Sequence, residues 1–133
     1  MKVLITEDDP ISRRLLQKLL SPYGICDVSE NGREALDAFT RALEDAAPYD
    51  IVCLDIMMPV LDGMEALKAM REVESRVKRY PTAKIIMTTA LDSPKDIIEA
   101  YYNGGCTDYL VKPIDTKKLM ALLREYGLID DGQ

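Results

Sequence analysis

Short apolar runs and longer stretches with helical spacing alternate along the whole chain. The runs hold three to five residues, mostly Val, Ile and Leu, which is typical of strands that a sheet buries on both faces. The second run is the weakest of the five. The predicted strands are Val3–Ile5, Ile25–Val28, Asp50–Leu54, Lys84–Thr88 and Asp108–Val111.

Each run is followed by apolar residues at intervals of three and four, which predicts a helix with one buried face. The helices are expected to begin at Asp9-Pro10, Asn31, Gly63, Ser93-Pro94 and Asp115, and to end at Ser21–Gly24, Ala47-Pro48, Tyr80-Pro81, Gly104-Gly105 and Gly127. Their expected inner faces are Ile11, Leu15, Leu16, Leu19 and Leu20; Ala35, Leu36, Phe39, Ala42 and Leu43; Met64, Leu67, Met70, Val73 and Val77; Ile97, Ile98 and Tyr101; and Leu119, Leu122, Leu123 and Tyr126. The expected solvated face of the third helix is Lys68, Arg71, Glu72, Glu74, Arg76, Lys78 and Arg79.

Strict alternation of five strands and five helices predicts an α/β fold with a doubly wound, five-stranded parallel sheet and helices on both faces. The common strand order for five such units is 2-1-3-4-5, a flavodoxin-like (βα)5 sandwich with a crevice between strands one and three. At 133 residues the chain is expected to form one domain over residues 1–127, followed by a short polar tail over 128–133.

Polar side chains stand directly after four of the five strands. They are Glu7 and Asp8 after the first, Asp55 after the third, Thr88 and Thr89 at the end of the fourth, and Lys112 after the fifth. All strands of a parallel sheet end at the same edge, so these groups are expected to share one rim of the molecule. The 2-1-3-4-5 order places the acids in the crevice and Lys112 on its far side.

Three carboxylates in one cleft repel each other, because two unit charges about 4 Å apart interact with roughly 4 kcal/mol at an effective dielectric constant near 20. Either one carboxylate is protonated or a cation offsets the charge. Oxygen ligands favour a hard cation, and Mg²⁺ fits better than Ca²⁺ because the chain has no EF-hand loop. The lysine and the hydroxyls suit an anionic ligand, which indicates phosphoryl chemistry.

The composition of the chain argues against several classes of partner and of site. The net charge of −6 argues against binding to nucleic acid or to a membrane by this chain alone. The absence of histidine excludes His-based triads, His-ligated zinc and a phosphohistidine donor. Cys26, Cys53 and Cys106 are isolated, which favours reduced thiols. With no signal peptide and no bilayer-length apolar stretch expected, the predicted location is cytoplasmic.

Four segments at the strand ends carry a family resemblance. They are Val3–Asp9, Leu54–Pro59 with Asp62-Gly63, Met87–Ala90 and Tyr109–Pro113. With these segments the chain resembles the receiver domain of two-component response regulators, of the single-domain chemotaxis-regulator type. The resemblance covers residues 2–126.

The resemblance implies a role for each residue at the rim. Asp55 would be the phospho-acceptor, and Mg²⁺, or Mn²⁺ in its place, would bind Asp8, Asp55 and the backbone carbonyl of Met57, with Glu7 holding a metal-bound water. Thr89, followed by the small Ala90, would be the switch threonine rather than Thr88. Lys112 would pair with the phosphoryl oxygens through a cis Lys112-Pro113 bond, and Tyr109 would be the switch aromatic.

The resemblance also implies partners. A sensor histidine kinase or a histidine phosphotransfer protein would supply the phosphoryl group, and a downstream protein target would read it, with a phosphorylation-dependent dimer as a further assembly. The expected reading face combines helix four, strand five and helix five, with Tyr101, Tyr102, Asn103 and Lys117 as candidates. No enzymatic turnover beyond self-phosphorylation and self-dephosphorylation is expected.

Three other classes of protein use a related fold or site. A pseudo-receiver would keep the fold only for protein interaction. A haloacid-dehalogenase-type aspartyl phosphatase needs a second acid two residues after its nucleophile, where this chain has Met57. A flavodoxin-like flavin carrier needs a hydroxyl- and glycine-rich first loop, whereas residues 6–9 here are largely acidic.

Overall fold

A computed structural model describes residues 1–58, 60–90 and 94–130. Within these residues five strands pair in parallel in the order β2-β1-β3-β4-β5, which confirms the predicted fold and strand order. The strands are β1 Lys2–Thr6, β2 Ile25–Ser29, β3 Ile51–Asp55, β4 Lys84–Thr89 and β5 Asp108–Val111.

The helices follow the strands as predicted. They are α1 Pro10–Leu20, α2 Gly32–Glu44, α3 Gly63–Val77, α4 Pro94–Ile98 and α5 Thr116–Glu125. A 3₁₀ turn, Ser21–Tyr23, follows α1, and a π-helical turn, Glu99–Gly104, continues α4. Asp9, Asn31 and Asp115 each accept a hydrogen bond from a backbone N–H of the first helical turn, so these predicted caps are confirmed. The predicted cap Ser93 lies outside the described residues.

Two apolar clusters cover the two faces of the sheet, and alternate residues of each strand enter one or the other. In β3, Val52 and Leu54 pack with residues of α2 and α3, whereas Ile51 and Cys53 pack with residues of α1 and α5. Asp55, the last residue of β3, continues the second set because side chains alternate along a strand. Asp55 therefore points to the α1 and α5 side of the sheet.

The predicted inner face of α1 is partly wrong. Leu16 and Leu20 are buried, but Ile11 is 79% exposed and Leu15 is 48% exposed. The apolar residues of α1 form two adjacent stripes, and a single helix on a sheet covers only one of them. The uncovered stripe lies on the surface near the end of β5, where Leu15 lines a small cleft with Lys112.

Helices α3 and α4 differ from the prediction at their ends. α3 stops at Val77, before the predicted Tyr80-Pro81, because Lys78 takes the left-handed conformation that closes the helix. Val77 is 41% exposed, Ile98 is 54% exposed and Tyr101 is 37% exposed, so none of the three belongs to the core. Val77 and Ile98 are the last residues of α3 and α4, and Tyr101 lies in the π-helical turn.

Two residues of the predicted solvated face of α3 have structural contacts instead. Arg71 donates hydrogen bonds to the backbone oxygens of Ala83, at 2.9 Å, and Gly105, at 2.8 Å. Glu74 pairs with Arg71 and accepts the N–H of Ala83 at 2.7 Å. Through these hydrogen bonds the Arg71–Glu74 pair connects α3 to the segments that lead into β4 and β5.

The first residues of the predicted tail pack against the domain. Leu128 donates its N–H to the Leu123 oxygen at 2.9 Å, and Ile129 is buried in the cluster below α1 and α5. Residues 131–133 lie outside the described residues. None of the helices in the described part of the chain has the length and apolar character needed to cross a membrane.

Candidate functional site

The three acids meet where β1 and β3 end side by side. Thr6 pairs with Leu54, so Glu7 and Asp55 follow at neighbouring positions of the sheet edge. One carboxylate oxygen from each of Glu7, Asp8 and Asp55 lies within 4.8 Å of the other two. Glu7 and Asp55 are buried, and Asp8 is exposed. The predicted acidic crevice is therefore present in the structure.

Lys112 reaches into this crevice from the end of β5. Its Nζ donates to Asp55 Oδ2 at 3.0 Å and also to Glu7 Oε1. Its backbone N–H donates to the Thr89 oxygen at 2.7 Å, which holds the start of the loop against β4. The Lys112-Pro113 peptide bond is cis, as the resemblance implied. One ammonium group is thus shared between two buried carboxylates.

Burial and charge shift the pKa values of this group. Burial and the neighbouring Asp55 carboxylate raise the pKa of Glu7, the contact with Lys112 lowers it, and the net pKa is about 7. Burial acts to lower the pKa of Lys112, but its hydrogen bonds to Glu7 and Asp55 outweigh that effect and the net pKa is raised. Lys112 therefore stays charged, while the acids keep an excess of negative charge that a cation would offset.

The donor set fits a hard divalent cation. All candidate ligands are oxygens, and Glu7 Oε2 is buried without a hydrogen-bond partner in the described part of the chain. Asp8 and Asp62 line an open groove of about 420 Å³ together with residues 56–58. The residues present here therefore suit Mg²⁺, the ion that the resemblance implied.

The loop after Asp55 is held by the Asp62-Gly63 turn. Asp62 caps α3 by accepting the Glu65 N–H at 2.9 Å, and Gly63 donates its N–H to the Ile56 oxygen at 2.8 Å. A Cβ atom at Gly63 would lie 2.0 Å from the Asp55 carbonyl oxygen, so only glycine allows this approach. Within the loop, Val60 has a φ of 72°, which is strained for a β-branched residue. Pro59 lies outside the described residues.

The hydroxyls and the aromatic residue lie at the ends of β4 and β5. Thr88 and Thr89 are both buried. Thr88 pairs in register with Asp55, whereas Thr89 is one residue further along and pairs with Val111. Tyr109 is half-buried against the cluster on the α2 and α3 side. The sequence placed Thr88 among the rim hydroxyls and the switch role on Thr89, and the alternation along β4 places the Thr88 side chain on the same side of the sheet as Asp55.

The fold and this site together define a receiver domain. Residues 3–124 match the response regulator receiver domain family, and the chain belongs to that family. It is a signalling domain of two-component systems rather than a classical enzyme.

Relatives and solved structures give the same picture. The two-component response regulator ORR41 of Oryza sativa subsp. japonica is 32% identical over 131 residues, which cover 96% of this chain and 95% of that protein. A chain in the co-crystal structure of the Saccharomyces cerevisiae phosphotransfer protein Ypd1 with the Ssk1 receiver domain is 29% identical. It superposes with a TM-score of 0.80 and covers 100% of this chain and 94% of its own length.

The receiver domain of the histidine kinase CKI1 from Arabidopsis thaliana, complexed with Mg²⁺ and BeF₃⁻, is 26% identical. Its TM-score is 0.79, with 95% of this chain and 89% of that chain covered. Some curated relatives are much longer: this chain spans 7% of the length of two Dictyostelium discoideum hybrid signal transduction histidine kinases.

Proposed function

We propose that this receiver domain accepts a phosphoryl group on Asp55 from a phosphohistidine of a sensor histidine kinase or a histidine phosphotransfer protein. The observation that carries the proposal is the Asp55 carboxylate itself. It is only 4% exposed, accepts the Met57 N–H at 3.2 Å and the Lys112 ammonium at 3.0 Å, and lies beside two further acids. In the reaction an Asp55 oxygen bonds to phosphorus while the bond from phosphorus to the donor imidazole breaks.

The acids around Asp55 have separate proposed roles. Asp8, Asp55 and the backbone carbonyl of Met57 would hold Mg²⁺ or Mn²⁺, and Glu7 would act through a metal-bound water. When bound, the ion offsets the charge of the carboxylates and of the incoming phosphoryl group. Lys112 then neutralises phosphoryl oxygens from the opposite side. The similar CKI1 receiver domain, complexed with Mg²⁺ and BeF₃⁻, supports a divalent cation at such a site.

The phosphoryl donor is proposed to dock on the uncovered stripe of α1. Ile11 and Leu15 expose apolar surface there, and Leu15 lines a cleft of about 140 Å³ with Lys112, Pro113 and Ile114. Lys112 also contacts Asp55, so a partner seated on this stripe would stand next to the acceptor. The co-crystal of Ypd1 with the Ssk1 receiver supports a partner of the phosphotransfer class.

The surface that a downstream protein would read is proposed to combine α4, β5 and α5. Thr89 and Tyr109 would change position when the phosphoryl group forms, and α4, β5 and α5 would present the result to a downstream protein or to a second copy of the chain. Tyr101, Tyr102, Asn103 and Lys117 are all exposed. Tyr102 exposes 84% of its surface, so this face has apolar area for a partner to cover.

Acetyl phosphate tests the proposal without the cognate kinase. Wild-type protein incubated with acetyl phosphate and Mg²⁺ is expected to gain a phosphoryl group that peptide mapping locates at Asp55. EDTA is expected to remove the labelling, because the carboxylates then repel the incoming anion. Stable folding with no label under either condition would instead favour an interaction module without phosphoryl chemistry.

Replacing Met57 with Asn is expected to shorten the lifetime of the phosphoryl group. The Met57 side chain is apolar, lies two residues after Asp55 and lines the groove with 62% exposure, so it shields the group from water. An amide would admit and orient an attacking water, with an expected increase in the hydrolysis rate of about tenfold. The measurement is the decay of labelled protein, with Met57→Leu as the apolar control.

Equal decay rates for wild-type, Met57→Asn and Met57→Leu protein would contradict shielding by this side chain. A second apolar residue expected to shield the phosphoryl group is Leu91, two residues after Thr89, and it lies outside the described residues.

A further inference from the structure

Arg13 on α1 contacts the backbone of the loop that carries Glu7 and Asp8. Its Nη1 donates to the Glu7 carbonyl oxygen at 2.9 Å, and its Nη2 lies 3.6 Å from a carboxylate oxygen of Glu30. The Arg13 side chain is only 19% exposed, whereas the next residue, Arg14, is exposed. The guanidinium of Arg13 is therefore part of the structure around the acidic crevice.

The contact with Arg13 falls on the peptide group that joins the two acids of this loop. The N–H of Glu7 donates to the Ser29 oxygen of β2 at 3.1 Å, and its carbonyl oxygen accepts from Arg13, so the backbone of Glu7 is held on both sides. Asp9 is held as the cap of α1. Asp8 lies between these two points and is exposed, so the direction of its carboxylate depends on the backbone rather than on side-chain packing.

We propose that Arg13 is a positioning residue for the divalent cation. By fixing the peptide group between Glu7 and Asp8, it holds both carboxylates in the direction that one ion requires. The inference rests on the proposed metal site in the acidic crevice. Mg²⁺ tolerates little departure from octahedral geometry, and residues that orient a metal ligand contribute strongly to the affinity of a metal site. Arg13 acts through the backbone and is not itself a ligand.

The charge of Arg13 and its hydrogen bond have opposite effects on the binding of a cation. A positive charge next to the acids repels the ion, so a variant without that charge would bind the ion more tightly if charge alone mattered. Loss of the hydrogen bond frees the peptide group between the acids, so the same variant would bind more weakly if positioning dominates. A residue that only stabilises the fold would lower the melting temperature and leave the affinity unchanged.

The test compares Arg13→Met with Arg14→Met, which removes the same charge from the exposed neighbour on α1. Titration with Mn²⁺, with the free ion measured by electron paramagnetic resonance, gives the affinity of each protein. Arg13→Met is expected to bind Mn²⁺ about tenfold more weakly than wild-type protein, a loss typical of removing a group that orients a metal ligand. Arg14→Met is expected to bind at least as tightly as wild type. Melting in EDTA shows that each variant is folded at the temperature of the titration.

Binding of Mn²⁺ by Arg13→Met that is as tight as in wild-type protein, or tighter, would overturn the role of Arg13 and leave the metal site in place. An equal loss in Arg14→Met would overturn it as well. Wild-type protein that binds no Mn²⁺ would overturn both the metal site and the role of Arg13. If Arg13→Met does not fold, Arg13→Lys replaces it, because lysine keeps the charge but lacks the two nitrogens that reach Glu7 and Glu30. Weaker Mn²⁺ binding is then expected, and wild-type affinity would overturn the proposal.

Discussion

Replacing Asp55 with Asn is expected to reduce labelling by acetyl phosphate in Mg²⁺ to the background level. The amide has nearly the same size as the carboxylate but is not a nucleophile toward phosphorus. The fold should survive, because the substitution removes one of two buried acids that repel each other. The melting temperature is therefore expected at or above the wild-type value, so loss of label will not reflect unfolding.

Asp37→Asn is the matched control. Asp37 is an exposed residue of α2, far along the chain from the acidic crevice, and its substitution removes the same charge. It should take label at the wild-type rate. Undiminished labelling of Asp55→Asn would contradict the proposed acceptor, and peptide mapping of that label would identify the true one.

Replacing Lys112 with Ala is expected to separate phosphorylation from its conformational effect. Lys112 links the end of β5 to Asp55 and is the cation that the phosphoryl group would attract. Without it, acetyl phosphate should still label Asp55 at a reduced level, but Thr89, Tyr109 and the α4–β5–α5 face should no longer respond. Hydrogen–deuterium exchange with and without BeF₃⁻ and Mg²⁺ measures this response segment by segment.

Wild-type protein is expected to show a change in exchange over 94–111, and Lys112→Ala close to none. The variant also leaves Glu7 without its buried counter-charge, a loss that typically costs about 3 kcal/mol before Glu7 takes up a proton. Lys112→Arg keeps the charge and separates that cost from the signalling defect. An exchange response in Lys112→Ala as large as in wild type would refute the coupling.

The rim of the sheet was predictable from the sequence because it depends only on strand direction. Glu7, Asp55 and Lys112 each follow an apolar run, and parallel strands end at one edge whatever packs around them. The structure then confirmed their convergence with a contact from Lys112 to both acids. The caps were predictable for a similar reason, since Asp9, Asn31 and Asp115 act on the first turn of their own helices.

Helix surfaces were less predictable, because burial depends on what lies opposite a residue. Apolar spacing marked both stripes of α1, but only the sheet decides that Leu16 is covered and Ile11 is not. The charge of Arg71 predicted a solvated side chain. In the structure Arg71 donates to the backbone oxygens of Ala83 and Gly105 and so connects α3 to two other segments. Neither partner is a neighbour of Arg71 in the sequence.

The α/β fold, the order of its elements and the set of side chains at the carboxyl edge could be derived from the sequence alone, since these follow from local periodicity and from turn and cap chemistry. The pairing of those side chains could not be derived in this way. In the structure Lys112 pairs with both Glu7 and Asp55, whereas the buried Thr88 hydroxyl has no hydrogen-bond partner among the described residues. Pairing depends on distances of a few ångströms between separate strands, and strand register and packing set those distances.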